Sequence, residues 1–183
     1  MSQTLHEVLR ERRTIHAFRA EPPPRERILA AIDAARWAPN HRRTEPWRFY
    51  LLGPVTATAI AELNAALVVA AKGAAAGAAK LARWREVPGW LAVTCVAADD
   101  PLQAQEDYAA VCCAIQNLQL ALWSDGIGVK WTTGAVTRDP RFFAAAGIDA
   151  ARERLVGLLW YGYPADVPRM DRRPVADVLR ERP

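Results

Sequence analysis

The chain has little of what many catalytic centres are built from. Its 183 residues include three cysteines and three histidines. Cys95, Cys112 and Cys113 sit in apolar surroundings without metal-ligand spacing, and the adjacent pair cannot easily bridge to itself. A zinc site and a disulfide framework are therefore excluded, and buried, reduced cysteines are expected. His6, His16 and His41 have no carboxylate or thiol at ligand spacing, so no metal centre is expected. There is no Gly-x-Gly-x-x-Gly, no Walker loop, no nucleophile elbow and no internal repeat. The N-terminal stretch is too charged to be a secretory signal, which points to a reducing, cytoplasmic location.

What is present describes an ordinary globular protein. With 51% hydrophobic and 24% charged residues, the chain can bury a substantial core, and a single domain over residues 1–183 is expected. The net charge of +4 does not imply a nucleic-acid partner, because basic residues alternate with acidic ones, as in Arg10-Glu11-Arg12 and Arg152-Glu153-Arg154. Arginines clustered locally suit one small phosphorylated ligand, whereas a duplex needs a long basic face.

Periodicity supplies the elements. Leu5, Val8 and Leu9 mark a short amphipathic helix within 3–12, and Ile28, Leu29, Ile32 and Ala35 mark a second over 25–37. Trp47 to Leu52 reads as a strand. Residues 56–81 read as two alanine-rich helices with a flexible break between Gly73 and Gly77. Trp90 to Ala97 is a continuous apolar run that suits a central buried strand.

Glu106 and Asp107 would open a long helix through Ser124, closed by Asp125-Gly126. From Tyr108 to Ser124 that helix carries no charge. Its length is marginal for a bilayer, and glutamine and asparagine interrupt it, so no membrane span is expected. Burial on nearly all sides is better met by a sheet on one face and a second copy of the chain on the other. Ile127 to Thr133 and Leu155 to Tyr163 read as further strands. Asp139-Pro140 starts a short helix over 139–146.

Two stretches stand out chemically. Arg12-Arg13-Thr14-Ile15-His16-Ala17-Phe18 ends the first helix with two guanidinium groups and a hydroxyl, a fork of charge-assisted donors suited to a phosphate monoester. Ala38-Pro39-Asn40-His41-Arg42-Arg43-Thr44-Glu45-Pro46-Trp47 follows the second helix. Together they resemble the Arg-Arg-Ser-x-Arg-x-Phe and Ala-Pro-Ser-x-x-Asn-x-Gln-Pro-Trp motifs of the nitroreductase family of FMN-dependent oxidoreductases. Lys130-Trp131-Thr132-Thr133-Gly134-Ala135 and Arg172-Arg173-Pro174 are similar to two further family segments.

The resemblance implies an α+β fold, a central mixed sheet of four or five strands flanked by helices, in a homodimer with two flavins at the interface. It implies that Arg12, Arg13 and Thr14 hold the phosphate and ribityl chain of a tightly bound FMN, with Arg172 and Arg173 completing the phosphate site. Trp131, Thr132, Thr133 and Gly134 would pass along the ring. Asn40 and His41 would reach the flavin of the opposite subunit, and Trp37 lines the same cleft or packs in the core.

His16 stands where most relatives have a cation near the N1/O2 edge of the ring, so the potential should be lower and more pH-dependent. Residues 55–88 carry no signature. In the family that region covers the active site and tunes the substrate. The implied reaction is ping-pong, NAD(P)H reducing the flavin and a nitroaromatic, quinone or related acceptor reoxidising it, with no side chain needed as acid or base. A non-catalytic FMN-binding or sensor protein, a flavin-dependent dehydrogenase or dehalogenase, and a basic interaction module are the alternatives.

Overall fold

The structure, a computed structural model, describes residues 3–183. The chain opens with α1 (Leu5–Glu11), started by a capping box. The Glu7 amide donates to Thr4 Oγ1 at 3.3 Å, and the Thr4 amide donates to Glu7 Oε2 at 2.7 Å. Then come α2 (Arg25–Ala35), β1 (Trp47–Leu51), α3 (Pro54–Lys72), α4 (Ala74–Arg85) and β2 (Gly89–Val96). They are followed by α5 (Pro101–Ser124), β3 (Gly128–Thr132), α6 (Pro140–Ala146), β4 (Glu153–Gly162) and the short α7 (Val175–Val178).

The strands form one sheet in the order β1-β2-β4-β3, and every neighbouring pair is antiparallel. The mixed sheet expected from the sequence is thus antiparallel in its four strands. Among the described residues, the one parallel pairing is the isolated bridge between Thr14 and Val129. β2 is central and buried on both faces, as its unbroken apolar run requires. Its alternating side chains feed two cores. Leu91, Val93 and Cys95 face α2 and α5, while Trp90 and Ala92 join Ile60, Trp84, Phe142, Leu158 and Trp160 on the side of α3, α4 and α6.

Several expected boundaries move for local reasons. α5 starts at Pro101 rather than Glu106, because Asp100 caps it, accepting from the Leu102 and Gln103 amides, both at 3.3 Å, with proline in the first turn. β4 starts at Glu153, whose carboxylate accepts from Tyr50 at 2.7 Å and from Thr94. The break between α3 and α4 is Gly73 alone, at φ 88°. Gly77 lies inside α4, where a Cβ would meet Val69 Cγ2 at 2.2 Å, so glycine there lets the two helices pack closely.

α3 is long and apolar enough by length and composition to cross a membrane. It nevertheless carries Glu62, which pairs with Arg85 at 3.3 Å, and it packs along α4 and α6. The cysteines are not uniformly buried: Cys95 is buried, Cys112 half-buried and Cys113 exposed. Within one chain α5 buries a single stripe, so its second face stays open.

A close approach ties β3 to β4. The Trp131 indole lies over Gly157, where a Cβ would be 2.1 Å from Nε1, and that nitrogen donates to the Val156 carbonyl at 3.2 Å. Gly157→Ala should therefore cost about 1–3 kcal/mol of stability by overpacking. Urea unfolding checks this, and an unchanged midpoint would contradict the packing.

Candidate functional site

The arginine corner is built where α1 ends. Beyond Arg12 the chain runs beside β3: the Ile15 amide donates to the Val129 carbonyl at 3.1 Å, and Ile15 is fully buried against Gly128, which leaves room for it by lacking a Cβ. The Arg19 amide donates to Tyr163 O at 2.8 Å and the Ala165 amide to Ala17 O at 3.0 Å, so the segment is stitched to the chain after β4. Alternation in this extended stretch, with Ile15 turned inward, leaves Thr14 and His16 exposed.

Arg12 and Arg13 are half-buried. Arg12 Nη1 donates to Gln119 Oε1 at 3.4 Å on α5. Arg13 donates to the carbonyls of Arg10 at 2.5 Å, Arg12 at 3.0 Å and Met170 at 3.3 Å. The last contact brings the tail to this corner, and with it Arg172. Burial first, then the charges of Arg13 and Arg172, draw the Arg12 guanidinium below the ordinary arginine range. No described carboxylate forms an ion pair with any of the three, and Arg13 Nε is buried without a hydrogen-bond partner. Like charges gathered and partly desolvated, with a donor left over, fit a bound oxyanion such as a phosphate. Arg173 is exposed.

Beside this corner is a second cationic group that sequence reasoning missed apart from His16. Lys130 Nζ lies 4.9 Å from the centroid of the Trp160 ring. Its pKa is pushed down by burial and by Arg83 and Lys80. His16 is pushed down by burial, then by Lys130 and Arg83. A cleft of about 330 Å³ beside His16 is lined by His16, Phe18, Arg83, Glu86, Val87 and Trp160. Trp160 Nε1 is buried with no partner, its ring set edge-on against Trp84 at 4.8 Å. Lys80 and Arg83 are one helical turn apart on α4, a spacing that could have marked them.

The segment after β3 divides. Trp131 is half-buried and donates its indole N–H to the Val156 carbonyl, so that group is used within the fold. Thr132 is half-buried, while Thr133 and Gly134 are exposed. A Cβ on Gly134 would meet nothing within 4 Å, and its carbonyl accepts from Thr137 N at 3.0 Å and Oγ1 at 2.8 Å.

The loop after α2 is held differently. Asn40 Nδ2 donates to Thr44 Oγ1 at 3.0 Å, and Asn40 Oδ1 accepts from the Glu45 amide at 2.7 Å, so the side-chain amide braces its own loop. Thr44 in turn donates to Asp107 Oδ1 at 2.5 Å, and Asp107 is buried. His41 Nδ1 lies 2.8 Å from Glu106 Oε2. Arg42, Arg43 and Glu45 all have positive φ, at 60°, 52° and 45°, a strained run for residues with side chains. Trp37 is 75% exposed and takes no part in the core.

Loop and arginine corner are not together in one chain. The corner touches α5 at Gln119 and the loop at Asp107, and 119 − 107 gives twelve residues, about 18 Å of helix.

Known proteins share this architecture. A sequence profile described as the Nitroreductase family matches residues 9–163. The Bacillus subtilis protein YfhC, provisionally named an NAD(P)H nitroreductase, is 34% identical over 182 residues, covering 97% of this chain and 93% of its own. A nitroreductase-like family protein from Bacillus cereus superposes with a TM-score of 0.86 at 28% identity, over 99% of this chain and 97% of that one. The fold also recurs in a provisionally named nitroreductase from Desulfovibrio desulfuricans, solved in complex with FMN. That structure superposes with a TM-score of 0.77 at 22% identity, over 100% and 99% of the two chains. The profile match over most of the chain and the identity shared with YfhC along nearly its whole length show that the chain belongs to the nitroreductase family.

Proposed function

We propose that two copies of this chain bind two FMN molecules tightly between them, in the cytoplasm. They would use NADH or NADPH to reduce nitroaromatic, quinone or related acceptors in alternating turns. The observation that carries the reading is the corner of Arg12, Arg13 and Arg172, uncompensated by any described carboxylate and retaining the orphaned Arg13 Nε. The FMN-bound relative of the same fold supports the choice of phosphate bearer.

When bound, the flavin supplies the two-electron redox chemistry. The chain's own part is to hold and tune it. Arg12, Arg13 and Arg172 would hold the phosphate. His16, with Lys130 and Arg83 behind it, would favour negative charge at the ring edge, so cations beside position 16 offset the missing arginine there. Thr132 to Gly134 would offer backbone along the ring. The partner's copy of the braced loop, with Asn40 and His41, would close the site, and Trp37 would be covered at the same time.

The test is direct. Purified protein should be yellow, should bleach anaerobically with NAD(P)H, and should recover colour with a nitroaromatic or quinone. A colourless protein that ignores added FMN would overturn the reading.

The pH dependence has a definite sign. His16 is held below its ordinary value of 6.5 in the free protein, so the unfolded chain binds that proton more readily. Stability contributed by this group is present above pH 6.5 and is lost as pH falls toward the lower folded value. An anionic ligand in the cleft reverses the Coulombic effect of Lys130 and Arg83. FMN binding should then raise the His16 pKa, take up a proton and tighten as pH falls through the imidazole range. NMR titration of His16 with and without FMN checks this, and an unmoved pKa would contradict its facing the ligand.

A further inference from the structure

We propose that the cleft beside His16 receives the electron acceptor, and that Lys80, Arg83 and Lys130 make it select aromatic acceptors that carry a carboxylate. This rests on the FMN reading above and deepens it by naming the substrate class.

The cations come from two elements. Lys80 and Arg83 stand one turn apart on α4, and Lys130 lies on β3, its Nζ 4.9 Å from the centroid of the Trp160 ring. The cleft brings Arg83 together with His16, Phe18, Glu86, Val87 and Trp160. The charge of Arg83 acts on both His16 and Lys130, and that of Lys80 acts on Lys130. Among the described residues none of the three cations forms an ion pair, whereas the neighbouring Arg85 is held by Glu62 at 3.3 Å. Lys130 is also half-buried. A concave surface lined by unpaired charge of one sign concentrates ligands of the other.

The flavin does not use up this charge. Its phosphate belongs to the arginine corner, and a ring that takes two electrons and one proton gains a single negative charge. Lys80, Arg83 and Lys130 against Glu86, the carboxylate lining the cleft, leave two positive charges. One therefore remains for the molecule that takes the electrons. Size narrows the class further. A cleft of about 330 Å³ lies at the low end of the roughly 300–1,000 Å³ of small-molecule pockets, with room for one substituted ring rather than a whole dinucleotide. Phe18, Val87 and Trp160 give that ring apolar walls, and the cations are the few polar groups that orient it. A guanidinium can take a carboxylate through two parallel hydrogen bonds, so Arg83 offers orientation as well as charge.

The experiment uses the flavin-loaded protein, reduced anaerobically with one equivalent of dithionite so that NAD(P)H plays no part. The acceptors are 4-nitrobenzoate and 4-nitrobenzamide, which share a shape and differ by one charge. Either takes two electrons from the reduced flavin and two protons, its nitro group becoming nitroso with release of one water, while the carboxylate only binds. The quantity read is the ratio of second-order reoxidation rates, benzoate over benzamide, because Arg83 also stands near the ring and a changed potential moves both rates together. That ratio should fall at least about fivefold in Lys80→Gln/Arg83→Gln and rise about twofold in Glu86→Gln, where the opposing carboxylate is gone. Arg83 and Glu86 are exposed and Lys80 half-buried, so the variants should fold. Calorimetric titration of the oxidised yellow protein with the same two compounds should show the same opposite shifts in the ratio of affinities. A yellow protein that does not bind the benzoate, or whose ratio is unmoved by these substitutions, would overturn the inference and leave the FMN reading standing. A loss confined to NADPH relative to NADH would give the cations to the adenosine phosphate and overturn it equally. A colourless protein that ignores added FMN would overturn both.

Discussion

Replacing Arg12 and Arg13 together by alanine is expected to weaken FMN binding by at least about 100-fold. Each charge-assisted hydrogen bond to an oxyanion contributes roughly 1.5–3 kcal/mol, and two guanidinium groups are removed. The stability of the flavin-free protein should move much less. The pair holds like charges together without any described carboxylate, so the loss of Arg13's carbonyl contacts is offset by relief of repulsion with Arg172. Arg13→Lys should recover only part of the affinity, because an ammonium cannot reproduce the planar fork. Arg172→Ala should cost less than either, since that side chain is exposed. Fluorescence titration of apo-protein with FMN measures all three variants, and a double variant that binds as tightly as wild type would contradict the phosphate assignment.

The second large effect is expected far from the arginines. Asp107→Ala removes the shorter of the two acceptors of Thr44, leaving Asn40 Oδ1 at 3.4 Å, and opens a gap at a position only 3% exposed. The loss of a buried hydrogen bond to a charged group should lower stability by about 1.5–3 kcal/mol. Relaxation of the loop should follow, because positive φ at Arg42, Arg43 and Glu45 persists only while the surroundings enforce it. FMN binding should therefore fall at least tenfold, although Asp107 lies about 18 Å along α5 from the contact with Arg12. Asp107→Asn keeps an acceptor for Thr44 and should restore most of both. Urea unfolding and FMN titration on the same preparations separate the two effects. A destabilised Asp107→Ala protein with unchanged FMN affinity would place the loop outside the site.

Features set by neighbouring residues were legible in the sequence. The stripes of α1 and α2, the unbroken apolar run of β2, the Asp139-Pro140 start of α6 and the arginine pair each depend on spacing within a few residues. Features set by distant residues were not. That the Trp131 indole fills the space over Gly157, on another strand, cannot be read from local spacing. Asp107 looked like a helix opener, but its partner Thr44 is 63 positions away, and the true cap was Asp100. Lys80, Arg83 and Lys130 acquire meaning only because α4 and β3 come together around His16 and Trp160. The open face of α5 follows from both levels: its lack of charge is in the sequence, and its exposure is in the structure.

The central claim is that one FMN site is built from the arginine corner of one chain and the loop of another. Co-expressing the Arg12→Ala/Arg13→Ala chain with the Asp107→Ala chain under separate affinity tags, and isolating the mixed dimer, tests it most directly. In the mixed dimer one site combines both damaged halves and the other both intact halves, so the account predicts one tightly bound FMN per two chains, recovered from parents that each bind little. A mixed dimer that binds no more FMN than its parents would contradict it.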